Sequence, residues 1–261
     1  MNNIIDVKNL TFNYSDKSVL ENITFSISNG DFVGIIGPNG SGKSTLIKLI
    51  LKILKPTSGE IKIFDQDIET FSNWNRISYV SQKANAFNMS FPATVEEVVG
   101  ANLYSKIGLF KKINKEHKKQ IQSALEIVGM GEYQNTLIGK LSGGQQQRIF
   151  IARAIVNEPS IIFLDEPTVG VDAKAEEVVY CLLAELNKKY GITIIMITHD
   201  ISAVTVHANK IACLGNKDIS IHNAKDLVSD KFISNLYGYD VNLHVHNHVC
   251  QNCSRRNDNN A

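Results

Sequence analysis

The sequence predicts an α/β fold, a parallel sheet with helices on both faces, and three observations predict it. Apolar runs of strand length occur at residues 32–36, 161–164 and 192–197, the last interrupted by Thr193. A strand buried on both faces reads as such a continuous run. Helical spacing separates the runs, with Leu46, Ile47, Ile50, Leu51 and Leu54 on one stripe and a second helical stretch over 173–188. A glycine-rich loop joins the first run to the first helix, where an open α/β sheet gathers its ligands.

The elements follow in order. Ile23, Phe25 and Ile27 alternate within 19–27, a half-buried strand that ends at the turn Asn29-Gly30-Asp31. Residues 32–36 are a buried strand and 44–54 a helix, which Pro56-Thr57-Ser58-Gly59 terminates. Short strands follow at 61–64 and 77–80. Residues 94–137 turn helical, so a helical lobe is inserted between the early and late strands. Lys111, Lys112, Lys115, Lys118 and Lys119 within it read as a solvated face. From Val241 the composition shifts to His, Asn, Cys and Arg, a tail.

A chain of 261 residues is long enough for one sizeable core with a lobe attached. Lys plus Arg number 27 against 26 Asp plus Glu, a balance that argues against a surface built to hold nucleic acid. No apolar run approaches the ~20 residues that span a bilayer. The first residues lack a secretory signal, so the expected place is the cytosol. Cys181 and Cys213 lie in apolar segments and read as small core residues, while Cys250 and Cys253 stand together near the end.

Three motifs carry chemistry. Gly37-Pro38-Asn39-Gly40-Ser41-Gly42-Lys43-Ser44, followed by Thr45, fits the phosphate-binding pattern G-x-x-x-x-G-K-[ST] between a buried strand and a helix. Its glycines let backbone N–H groups curl around phosphate, and the helix N-terminus adds partial positive charge. Lys43 would reach the β- and γ-phosphates and Ser44 would ligate Mg²⁺. Four apolar residues end in Asp165-Glu166, which places Asp165 to bind Mg²⁺ and Glu166 to polarise an attacking water. Leu141-Ser142-Gly143-Gly144-Gln145 opens an apolar helix. Ser142 is its N-cap, and the two glycines cost helix propensity of roughly 1 kcal/mol each. Close approach of an anion to bare N–H groups explains them.

With these motifs in this order, the chain from Ile4 to the 220s resembles an ABC-type ATPase, the nucleotide-binding subunit of an ATP-driven transporter. The resemblance implies a P-loop NTPase fold: a RecA-like core, an N-terminal antiparallel β subdomain and an inserted α-helical subdomain over about 84–150 of an ATP-binding domain 1–240. It implies that Tyr14 stacks on adenine, that Gln82 touches Mg²⁺ and the attacking water, that Asp172 runs across a dimer interface and that His199 contacts the γ-phosphate. ATP and Mg²⁺ are the implied cofactors. Two copies pack head to tail, each offering its phosphate loop to one ATP and Ser142, Gly143, Gly144 and Gln145 to the other. Integral membrane permease subunits are the implied partners, with a solute-binding protein indirectly and no nucleic acid. The place is then the inner face of the cell membrane.

Phe91-Pro92-Ala93-Thr94-Val95-Glu96-Glu97-Val98-Val99 and Val128-Gly129-Met130 resemble importers of zinc, manganese or iron. Val99-Gly100-Ala101-Asn102 departs from the Met-Gly-Arg pattern usual there. His244, His246, His248, Cys250 and Cys253 crowd into the tail at 241–261, a donor set suited to tetrahedral Zn²⁺. The reading is an ATPase energising import of a divalent metal ion, zinc or manganese. A soluble ABC ATPase of the iron–sulfur assembly type, or an importer of another solute, are the alternatives.

Overall fold

The computed structural model describes residues 3–82, 92–108 and 111–224. The described residues form two compact units, one within residues 1–72 and 184–261 and one within residues 73–183.

The first unit contains β1 (Asn3–Tyr14), β2 (Lys17–Ser28), β3 (Phe32–Ile36), α1 (Lys43–Ile50), β4 (Ser58–Ile63) and β5 (Gln66–Asp67). β2, β1, β4 and β5 make an antiparallel sheet in that order. β1 has no counterpart among the expected elements. Its alternation is broken by register shifts, and Asn9 turns to φ 49 in mid-strand. α1 stops at Ile50 instead of continuing to Leu54, because Lys52 adopts φ 55. Ser58 and Gly59 belong to β4, not to a terminating turn. Gly59 sits at φ +99 where a Cβ would lie 2.5 Å from the Asn9 carbonyl oxygen.

The second unit holds β6 (Ile77–Val80), α2 (Val95–Gly100), α3 (Tyr104–Ile107), α4 (Lys115–Ile127), α5 (Gly143–Ile155) and β7 (Ile161–Asp165). β6 and β7 pair in parallel. Among the described residues, the helical stretch expected over 94–137 holds α2 and α3, joined by a 3₁₀ turn at Ala101–Leu103, and then α4. Gly108 at φ 88 ends α3, and Asn114 starts α4 with a capping box to His117. The lysines at 111, 112, 115, 118 and 119 are exposed, as a solvated face requires.

α6 (Ala173–Tyr190) carries the chain back to the first unit. There β8 (Thr193–Ile197) precedes α7 (Ile201–His207), β9 (Lys210–Gly215) and β10 (Asp218–Asn223). β3 lies between β8 and β9, parallel to both, and β10 returns antiparallel to β9. β9 and β10 also lack counterparts in the sequence reading. All five residues of β3 and all five of β8 are buried, as their mainly apolar runs predict, and β8 buries the polar Thr193 as well. α7 packs on β3 so closely that a Cβ on Gly34 would fall 2.4 Å from Val204 Cγ1.

Candidate nucleotide site and its relatives

β3 delivers the phosphate loop. Gly37 follows the last strand residue at φ 152, and a Cβ there would come within 2.0 Å of the Leu214 carbonyl oxygen on β9. Only glycine can turn the chain in that space. Gly40, at φ 79, would meet nothing within 4 Å, so the crest of the loop is open. Gly42, at φ 102, caps α1 without a side-chain bond. Lys43 is 6% exposed, and its ammonium donates to the Gly37 carbonyl at 2.8 Å and the Pro38 carbonyl at 2.9 Å. The Ser41 hydroxyl is buried with no hydrogen-bond partner. An orphaned hydroxyl, an open crest and a helix N-terminus are a donor set for phosphate oxygens, so the residues present fit a nucleotide. Asn39 is exposed, and Pro38, Ser44 and Thr45 are half-buried beside it.

Tyr14 closes β1, 47% exposed, with Phe12 edge-on at 4.7 Å. That contact holds the ring while leaving it open to a stacking partner. His199 is exposed just beyond β8, and Asp200 caps α7 by accepting from Ala203 N at 2.9 Å.

The second unit brings the acids and the glutamine together. β7 ends at Asp165, 6% exposed, and Glu166 turns to φ 50 immediately after it. A left-handed backbone at a non-glycine residue is strained and turns the side chain away from the strand's alternation. Gln82, two residues beyond β6, donates its amide to Glu166 Oε2 at 2.6 Å. Tyr79, on β6 itself, donates its hydroxyl to Asp165 Oδ2 at 3.4 Å. Burial, and then the charge of Asp165, push the Tyr79 phenol up to about 12, so it stays a donor at any working pH. Tyr79 is absent from the sequence-read site. Its only signal was a hydroxyl-bearing ring on a strand that runs into Gln82.

Ser142 N-caps α5 in a capping box. Its hydroxyl accepts from Gln145 N at 3.3 Å, and the Gln145 side chain accepts from Ser142 N at 2.9 Å. The two glycines differ. A Cβ on Gly144 would lie 2.5 Å from the Ala175 Cβ on α6, so that glycine has a packing reason inside the chain. A Cβ on Gly143 would meet nothing nearer than the Gly170 carbonyl oxygen at 3.7 Å. The argument from two bare glycines thus narrows to Gly143. Asp172 is exposed and accepts from Ala175 N at 3.1 Å at the start of α6.

His244, His246, His248, Cys250, Cys253 and Phe91 lie outside the described residues. Among the described residues no group of three or more His, Cys, Asp or Glu could hold a metal ion. Of the two cysteines read as core, Cys213 is buried and its thiol is pushed up to about 12 by that burial, whereas Cys181 is half-buried.

Known proteins are similar to this chain in sequence and fold. The family model described as ABC transporter matches residues 20–169. The zinc uptake system ATP-binding protein ZurA of Listeria innocua is 47% identical over 234 residues, covering 88% of this chain and 91% of that protein. The manganese transport system ATP-binding protein MntB of Halalkalibacterium halodurans is 38% identical over 237 residues, covering 91% and 93%. Among solved structures, cbiO1 of Clostridium perfringens, part of the ABC transporter complex cbiONQ, superposes with a TM-score of 0.78 at 30% identity, covering 90% of this chain and 94% of that one. The dimeric structure of MJ0796, a bacterial ABC transporter cassette, superposes with a TM-score of 0.71 at 32% identity, covering 84% and 98%. From the phosphate loop to the capped glycine turn, the motifs fall inside these matches, and the chain belongs to the ABC transporter family as one of its P-loop, ATP-hydrolysing cassettes.

Proposed function

We propose that this chain is the ATP-hydrolysing subunit that energises import of a divalent metal ion, zinc or manganese, through membrane permease subunits. The observation that carries the catalytic part is the 2.6 Å contact between Gln82 and Glu166, which joins a water-orienting amide to a candidate base. Similarity to uptake proteins named for zinc and manganese supports the cargo.

In this reading Tyr14 stacks on adenine, while the backbone of residues 37–42 with Lys43, Ser44 and Thr45 holds the phosphates. Ser44, Gln82 and Asp165 hold Mg²⁺, which when bound neutralises charge developing on the phosphates. Glu166 polarises water and His199 contacts the γ-phosphate. Ser142, Gly143, Gly144, Gln145 and Asp172 face the nucleotide of a second copy, so loss of the γ-phosphate loosens the dimer. No described helix is long and apolar enough to cross a membrane; in this reading transport runs through the permease subunits. The chain works on the inner membrane face, with a solute-binding protein supplying the ion outside. Residues 1–240 form the ATP-binding domain, with residues 84–150 its helical subdomain, and 241–261 a tail that binds zinc through His244, His246, His248, Cys250 and Cys253.

Glu166→Gln is expected to lower ATP hydrolysis by about 10²-fold or more while MgATP binding persists, since a general base is worth roughly that factor. Hydrolysis at the wild-type rate removes Glu166 from the role of base. Cells lacking their own uptake system and expressing this chain with its permease are expected to accumulate radioactive zinc or manganese, and to stop when Glu166→Gln is supplied instead. Zinc titration of the full chain and of one truncated after Asp240 tests the tail, and equal stoichiometry rules it out.

A further inference from the structure

β6 and β7 run in parallel with Tyr79 opposite Phe163 and Val80 opposite Leu164. Side chains alternate along a strand, so Tyr79, Phe163 and Asp165 share one face. The Tyr79 ring is long enough to pass Phe163 and bring its hydroxyl to Asp165 Oδ2, 3.4 Å away. Three residues on, Gln82 reaches Glu166 Oε2 at 2.6 Å. The end of β6 therefore supplies one donor to each of the two acids at the end of β7. Ser78, one residue before Tyr79 and on the opposite face, spends its hydroxyl on the Ala154 carbonyl at 2.6 Å.

We infer that Tyr79 is a positioning residue for Asp165: its hydroxyl binds one carboxylate oxygen and sets the carboxylate's rotation for binding the cation of MgATP. The inference rests on the reading of Asp165 as a Mg²⁺ ligand. The physical logic is that of any ligand held by a hydrogen bond from outside the metal's own shell. A carboxylate free to rotate spreads its charge over several orientations, and fixing one of them removes an entropic cost from each binding event. A donor on Oδ2 also relieves the burial of Asp165, a carboxylate only 6% exposed.

Tyr79→Phe keeps the ring and removes only the oxygen, so it separates the hydroxyl's role from the packing of the ring. ATP binding to the full chain is measured calorimetrically with Mg²⁺ and with a chelator, alongside the Mg²⁺ dependence of hydrolysis. Outer-shell partners are worth 10–100-fold in metal affinity, and this bond is long, so the Mg²⁺ needed for half-saturation is expected to rise about three- to tenfold. Mg²⁺-free ATP binding and the maximal rate at saturating Mg²⁺ are expected to stay close to wild type. Stoichiometry reports the folded fraction separately from affinity, so a partly unfolded variant does not imitate the effect. A Tyr79→Phe chain that matches a Mg²⁺-dependent wild type overturns the inference alone. Equal weakening with and without Mg²⁺ also overturns it, since the hydroxyl would then act on the fold. A wild-type chain that binds ATP equally well in both conditions overturns the reading of Asp165, and the inference with it.

Discussion

Gly143 and Gly144 are adjacent in sequence and alike in chemistry, yet a methyl group would have different consequences at each. At Gly144 it would lie 2.5 Å from the Ala175 Cβ, well inside contact distance. Gly144→Ala is expected to cost about 1–3 kcal/mol in urea denaturation, as overpacking does. At Gly143 the nearest atom would be 3.7 Å away, an ordinary contact. Gly143→Ala is expected to hold or raise stability by up to about 1 kcal/mol, the gain in helix propensity, while, in the proposed head-to-tail dimer, lowering ATP hydrolysis. Loss of stability without loss of activity in Gly143→Ala would remove that face from the site. The motif was legible in the chain, but the division of labour within it was not. It depends on Ala175, about thirty residues later, which no local pattern connects to Gly144. Tyr79 escaped for the same reason, since its partner is set by the register of β6 on β7.

α2 shows how an element is held by polar ends as well as by its buried Val95, Val98 and Val99. Thr94 and Glu97 form its capping box. Glu96 accepts from Gln134 at 2.9 Å and pairs with Lys118 of α4 at 3.1 Å. The Gln134 amide, and then the Lys118 ammonium, hold the Glu96 carboxyl below its ordinary value. A depressed acid contributes stability that is present above its unfolded pKa and lost as pH falls through the folded one. Acid titration followed by hydrogen exchange should therefore loosen α2 as the pH falls below the ordinary glutamate range, and Glu96→Gln should flatten that dependence. A wild-type pH profile in Glu96→Gln would show that Glu96 is not the group responsible. At the end of α2 lies the departure from the metal-importer pattern, and Asn102 has a clear use there. It donates to the Arg153 carbonyl at 2.9 Å, while Lys106 donates to the Asn157 carbonyl at 2.6 Å. The first satisfies a carbonyl in the last turn of α5, which a helix cannot satisfy itself, and the second a carbonyl two residues beyond that helix.

At the scale of the whole molecule, several long-range polar links among the described residues gather at Asp31. This 6%-exposed carboxylate accepts from Ser28 N at 2.7 Å, Asn209 Nδ2 at 3.1 Å and Lys210 Nζ at 2.8 Å. Thr193 and Asn187 bind the adjoining Gly30 through its N–H at 2.9 Å and its carbonyl at 2.9 Å. The turn before β3 is thus tied to segments more than 150 positions away. Asp31→Ala leaves these donors unmatched and Lys210 without this partner. It is expected to destabilise the first unit by about 2–3 kcal/mol, below the range for a fully buried pair because Lys210 is partly exposed. A denaturation midpoint equal to wild type would mean that solvent replaces the network at no cost.

The sequence by itself determined the buried strands β3, β7 and β8, the loop between β3 and α1, the start of that helix, and the family, because burial on both faces and glycine placement leave marks within a few residues of one another. Tertiary structure alone decided the rest. β1 hides its alternation behind bulges, and the 94–137 stretch splits where Gly108 and Asn114 stop and restart the helix. Which donor serves which acid, and which glycine is for packing, depend on strand register and helix contact. Those are relations between distant parts of a chain, and they exist only once it has folded.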